Sequence, residues 1–302
     1  MESIHYMPLL ADWSYITNGC LETVIDWVPG MKEIVLRDFP SLIRTTDPRD
    51  IMLQVLQEEC GRAKHASAII LNTFDDLEHH DVLDELSSIL PPVYPFGPLT
   101  LLLLNHVTDE DLNTIESNLW EEDRECLKWL DNNEPKSVVY VSFGSITVMT
   151  NDQLIEFAWG LANSGKTFLW VVETRFFLVN LSRRPKIECP QEEVLAHPAI
   201  GGFLTRSGWN STIESLCNGV LMICWPFFEE QPTNCRFCCK EWGVGLHIEG
   251  DVTRGRIESL VRELMEGEKG KEFTNKALEW KKLAQDGSSF VNYDNMLRQV
   301  LE

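Results

Sequence analysis

From Ser137 onward the chain alternates short apolar runs with longer stretches of helical periodicity, the pattern of βα repeats. Val138 to Phe143 reads as a buried strand ending at Gly144-Ser145. Thr150-x-x-Gln153 has the form of a capping box, and it opens a helix with Leu154, Phe157, Ala158 and Leu161 on one face. Gly165 stops that helix, and Phe168 to Val172 supplies the next parallel strand through a right-handed crossover. A second unit runs from the apolar stretch Gly201 to Thr205 through a polar cluster, Arg206-Ser207-Gly208-Trp209-Asn210-Ser211. It continues as a helix to Gly219 and then as an apolar strand from Leu221 to Trp225. Ser211-x-x-Glu214 is again of capping-box form. The spacing predicts a further helix over Thr233 to Trp242 and a short strand over Leu246 to Ile248. A helix from Arg254 places Ile257, Leu260, Val261 and Leu264 on one face, and polar helices follow Lys271 to near Leu301. Upstream, Ala68 to Leu71 reads as a buried strand, and Pro91-Pro92, Pro95 and Gly97-Pro98 as a linker or exposed turn. The fold class is α/β.

Composition narrows the partners. The 302 residues are 44% hydrophobic and 24% charged, values ordinary for a globular chain with one large or two modest cores. A formal charge of −21 disfavours nucleic acid and anionic membrane surfaces. Leu101 to Leu104 is too short to span a bilayer, so no membrane insertion is expected. Glu2, Asp12, Glu22 and Asp26 break any apolar leader, which makes a cytoplasmic protein with reduced thiols the expectation for its nine cysteines. Cys235-x-x-Cys238-Cys239 has half the form of a zinc site but no second pair at suitable spacing. With Trp242 these cysteines fall at i, i+3, i+4 and i+7, the pattern of a buried helix face. Gly243-x-Gly245 lacks the third glycine of a dinucleotide loop.

The most informative stretch is Glu188 to Gln231. Its order of strand, loop, helix and strand places a helix N-terminus at a strand's carboxyl end, where a phosphate is well received. The segment resembles the signature box of plant family-1 UDP-glycosyltransferases. Ser67 to Leu77, Ser137 to Ser145 and Phe168 to Val172 match the same family. Ile25 to Met31 and Asp38 to Thr46 are similar to the branch that glucosylates small alcohols such as cyanohydrins, iridoids and cytokinins. The resemblance implies a GT-B-like fold, with residues 1–120 a partial N-terminal, acceptor-side domain and linker. Residues 121–302 would be the UDP-sugar domain, its last helix packing back on the N-terminal part.

By that resemblance Gln191 lies against uridine and Glu214 accepts from the ribose hydroxyls. Asn210, Ser211 and Ser145 contact the diphosphate, Arg206 replaces a phosphate-binding histidine, and Trp209 sits among them. Glu230 and Gln231 hold sugar hydroxyls. The implied reaction passes glucose from UDP-glucose to a small lipophilic alcohol, with inversion and without a metal or other cofactor. Asp109-Glu110-Asp111 resembles the metal motif of other glycosyltransferases, but the charge around it marks a solvated acidic segment.

Departures from the pattern set a second expectation. Glu188 stands where the family has a uracil-stacking tryptophan, Leu221 replaces a proline, and the segment 173–187 is short. None of His5, His65, His79, His80, His106, His197 and His247 has the context of the family's catalytic histidine. The histidine and its aspartate partner would belong to an N-terminal region that the chain lacks. The alternative is therefore an inactive, truncated remnant that at most binds UDP or a UDP-sugar.

Overall fold

The computed structural model describes residues 18–47, 49–99, 121–122, 124–144, 149–172, 187–286 and 289–301. They fall into two units: Met1–Asn105 with Phe227–Thr233 and Leu283–Glu302, and His106–Pro226 with Asn234–Lys282.

In the first unit, β1 (Val24–Ile25) pairs antiparallel with β2 (Ile34–Val35), and Ile25, Ile34 and Phe39 bury one another. Helix α1 (Ile51–Ala63) is capped by Asp50, whose carboxylate accepts the N–H groups of Met52 at 2.8 Å and Leu53 at 3.2 Å. Strand β3 (Ile69–Leu71), helix α2 (His80–Ile89) and β4 (Val93–Pro95) follow, with β3 and β4 parallel. The expected burial of Ala68 to Leu71 is corrected here: Ile70 is 52% exposed, because a sheet of two strands among the described residues has one open face.

The second unit carries the larger sheet. In chain order its elements are β5 (Glu121–Glu122), α3 (Glu125–Leu130), β6 (Val138–Ser142), α4 (Asn151–Ser164), β7 (Thr167–Val171) and β8 (Ile187–Glu188). Then come α5 (Gln191–Ala196), β9 (Ile200–Thr205), α6 (Trp209–Asn218), β10 (Leu221–Cys224) and α7 (Gln231–Arg236), of which α7 belongs to this unit from Asn234 onward. Strand β11 (Gly245–His247), helix α8 (Arg254–Glu266) and helix α9 (Glu268–Asp286) as far as Lys282 complete it. Five strands form one parallel sheet in the order β11-β10-β9-β6-β7. Val138, Val139, Tyr140 and Val141 are buried, as a parallel strand covered on both faces requires, and Tyr140 stacks on Phe203 of β9 at 5.1 Å.

The Thr150–Gln153 capping box forms as its spacing predicts, and Gly165 ends α4 in the left-handed conformation. Phe157 and Leu161 are buried, whereas Ala158, expected on the same face, is exposed. Helix α4 packs on α8 through Gly160, where a Cβ would come within 2.5 Å of the Ile257 Cβ. A second correction concerns Ser211-x-x-Glu214. Helix α6 starts three residues earlier, with Gly208 and not Ser211 as its N-cap, so both side chains project from within the helix and cap nothing.

The C-terminal helix α10 (Ser289–Met296) belongs to the first unit. Asn292 Nδ2 donates to Pro95 O at 2.8 Å and Asp75 Oδ2 at 2.9 Å, and Tyr94 Oη donates to Gln299 Oε1 at 2.7 Å. Tyr94, Phe96 and Met296 form the buried cluster beneath these bonds.

Candidate functional site

The chain leaves β6 outward to β7, then returns to place β9 on the other side of β6 before continuing to β10 and β11. Adjacent strands whose connections depart in opposite directions open a crevice at their carboxyl ends, the usual ligand position in open parallel sheets. Two loops bound it. After β6, Gly144 takes φ 68°, and a Cβ there would lie 3.6 Å from Arg206 Nη2. After β9 come Arg206, Ser207 and Gly208. Arg206 is buried, which puts a guanidinium at the mouth of the crevice, where an anion would be drawn in.

Ser207 adopts φ 64°, unfavourable for a residue with a Cβ, so its surroundings must hold it there. Asn234 Nδ2 donates to Ser207 O at 2.8 Å, and Ser207 N–H donates to Thr205 Oγ1 at 3.2 Å. The result is a sharp turn straight into α6, whose N-cap Gly208 has no side chain to satisfy the first-turn N–H groups. Asn234 is a residue that sequence reasoning did not single out; its bond to Ser207 spans 27 residues, which no local pattern announces.

One turn into α6, Ser211 and Glu214 share a face, and Gln191 at the start of α5 meets both. Gln191 Nε2 donates one hydrogen to Glu214 Oε2 at 2.8 Å and the other to Ser211 Oγ at 3.0 Å. Burial pushes the Glu214 carboxyl up to about 7; the Gln191 hydrogen bond works against that rise and the charge of Glu192 adds to it. Gln191, Ser211 and Glu214 are thus brought together, the last two on the same βαβ unit that carries Arg206, Trp209 and Asn210 and Gln191 on the helix before it. This set offers a carboxylate, a carboxamide, a hydroxyl, a cation and a helix N-terminus, which suits a polyhydroxylated, phosphorylated ligand.

The remaining predicted residues are placed differently. Glu230 and Gln231 belong to the first unit. There Gln231 is buried, and its Oε1 accepts the N–H groups of Phe227 at 2.9 Å and Phe228 at 3.3 Å, so the amide nitrogen is the end it can offer. Glu229, at φ 54°, donates its N–H to Ser41 Oγ at 2.7 Å and fixes this turn. Ser145 and the Asp109–Asp111 motif lie outside the described residues, as does most of the shortened segment; Glu188 closes β8. The pair His197 and Asp131, 3.2 Å apart, stands before the amino ends of β9 and β6, at the opposite edge of the sheet from the crevice. Among the described residues no helix is long and apolar enough to cross a membrane.

A parallel sheet with its polar set at the switch point defines an α/β protein with a Rossmann-like ligand site. Residues 48–283 match the family of UDP-glucoronosyl and UDP-glucosyl transferases, and the chain belongs to that family. It is 55% identical to a 7-deoxyloganetin glucosyltransferase of Catharanthus roseus, over 98% of this chain and 66% of the relative. It is 56% identical to an (R)-mandelonitrile beta-glucosyltransferase of Prunus dulcis, over 94% of this chain and 62% of the relative. The chain therefore spans less than two thirds of the length of these relatives. Among solved structures, Os79 of O. sativa in complex with UDP superposes with a TM-score of 0.76 at 29% identity, covering 96% of this chain and 66% of that one. Phytolacca americana UGT2, complexed with UDP-2fluoro-glucose and pterostilbene, gives 0.74 at 33% identity, covering 92% and 63%.

Proposed function

We propose that this chain carries the UDP-glucose-binding part of a glucosyltransferase that acts on small lipophilic alcohols, the kind of acceptor its relatives' names print. The observation that carries the reading is the hydrogen-bonded set Gln191, Ser211 and Glu214 beside the buried Arg206, all at the carboxyl ends of the sheet. Glu214 takes the ribose hydroxyls, Gln191 the uracil side, and Asn210, Ser211, Ser145 and Arg206 the diphosphate, with Trp209 lining the same turn. Residues 121–302 form the donor domain in this reading and 1–120 the acceptor side. For Glu230 and Gln231 the role is hydrogen bonding to sugar hydroxyls, on the family pattern alone.

In the transfer the acceptor oxygen attacks the anomeric carbon with inversion, and the charge left on UDP is absorbed by the α6 N-terminus and Arg206, without a metal. The 302-residue chain on its own holds the donor and does not turn it over, because none of its seven histidines has the sequence context of the family's catalytic base. Its nine cysteines are all unbridged, which fits a reducing compartment such as the cytoplasm.

Calorimetric titration with UDP in the presence of a chelator tests the reading. One site per chain is expected, weakened at least tenfold in Glu214→Ala, while a folded protein that takes up no UDP rules it out.

A further inference from the structure

The helix face of Cys235 and Cys239 does not pack only on hydrocarbon. Cys224, the last residue of β10, comes up beneath it, and the sulfurs of Cys224, Cys235 and Cys239 all lie within 4.8 Å of one another. The contact joins a strand end to the helix that follows it in the chain, whose second turn, Phe237–Glu241, is wound as a π-helix. That wider turn sets where the Cys239 side chain falls relative to Cys235. Cys238 donates its thiol hydrogen to Met222 Sδ at 4.0 Å and leaves the Cys224 sulfur to Cys235 and Cys239. The Ser207 hydroxyl borders the same sulfur, is fully buried, and completes no hydrogen bond of good geometry.

We propose that Cys224, Cys235 and Cys239 form a three-thiolate site for a thiophilic d10 cation, Cu(I) or Zn(II). Metal–sulfur bonds of about 2.3 Å put ligating sulfurs roughly 4 Å apart, so the thiols close on an ion by small side-chain rotations. Soft thiolates select these two ions over harder ones. Cu(I) is satisfied by the three sulfurs, and Zn(II) takes a fourth ligand from the adjacent Ser207 hydroxyl. Cys224 and Cys235 are buried and Cys239 is partly exposed, which gives the ion a way in past Cys239. The three cysteines are not among the proposed donor residues, although Ser207 lies in the same turn as Arg206 and Trp209, and the metal titration does not depend on donor binding.

The reduced, chelator-treated chain is titrated with Zn(II), and anaerobically with Cu(I) against a chromophoric chelator. The ions retained after gel filtration are counted, and the thiolate-to-metal absorption in the ultraviolet is followed. The expected result is one equivalent of Cu(I), with or without one of Zn(II), and protection of Cys239 but not of the exposed Cys60 from alkylation. Retention of Zn(II) as well identifies the four-coordinate form. Cys239→Ser, at the least buried of the three positions, should keep the circular dichroism of the parent and lose at least tenfold in affinity, and Cys60→Ser should lose none. Failure to retain either ion, or retention undiminished in a folded Cys239→Ser, overturns the site.

Discussion

Burial raises the Glu214 carboxyl to about 7 against an unfolded value of 4.5, so the folded protein favours its neutral form. Its contribution to stability is complete below pH 4.5 and is lost as pH rises through 7; a shift of this size corresponds to about 3 kcal/mol. Glu214→Gln keeps a hydrogen-bond acceptor for Gln191 and carries no charge. It should therefore melt above the parent at about pH 8, with the difference vanishing near pH 4.5, as differential scanning calorimetry would show. Ribose hydroxyls donate to the ionised form, so in the proposed function UDP affinity should rise up to about tenfold between pH 6 and pH 8 and stay flat in Glu214→Gln. The carboxyl that binds best when charged is the one the fold least prefers to charge, as is common where binding sites are built at a cost in stability.

Helix boundaries show how far local pattern reaches. Thr150-x-x-Gln153 and Ser211-x-x-Glu214 carry the same signal, and only the first forms a capping box. The difference arises outside each four-residue window. At Ser207 the chain turns through a left-handed conformation held by Asn234, which starts α6 at Gly208 and leaves Ser211 and Glu214 to meet Gln191 from 20 and 23 residues away. Between elements, the approach of α4 to α8 depends on Gly160, where a Cβ would also lie 2.8 Å from Arg254 O. Gly160→Ala gains helix propensity but must push the two helices apart. The net expectation is a loss of about 1–2 kcal/mol, read from urea denaturation, with UDP uptake retained once the variant is folded.

Across the whole molecule, the charge of −21 disfavours polyanionic partners, and no helix among the described residues is long and apolar enough to cross a membrane. The family match spans residues 48–283, so it includes parts of both units, while the residues gathered around Glu214 all lie in one. In the proposed division of labour, the 302-residue chain incubated with UDP-glucose and alcohol acceptors should yield no glucoside by mass spectrometry, with or without manganese. Glucoside formation at family-like rates would mean that a group other than the family histidine serves as base.

The sequence by itself determined the α/β class, the βα repeats from Val138 onward, the α4 cap and the family, because each rests on short-range periodicity, a local hydrogen bond or a contiguous motif. It also placed Gln191, Arg206, Ser211 and Glu214 in one stretch. The tertiary structure decided what those residues touch: that Gln191 binds Ser211 and Glu214 together, that Asn234 braces the loop, and that Cys224 joins Cys235 and Cys239. Such contacts depend on which strands become neighbours and how deeply each side chain is buried, and both are set by packing of the entire sheet and not by any segment within it.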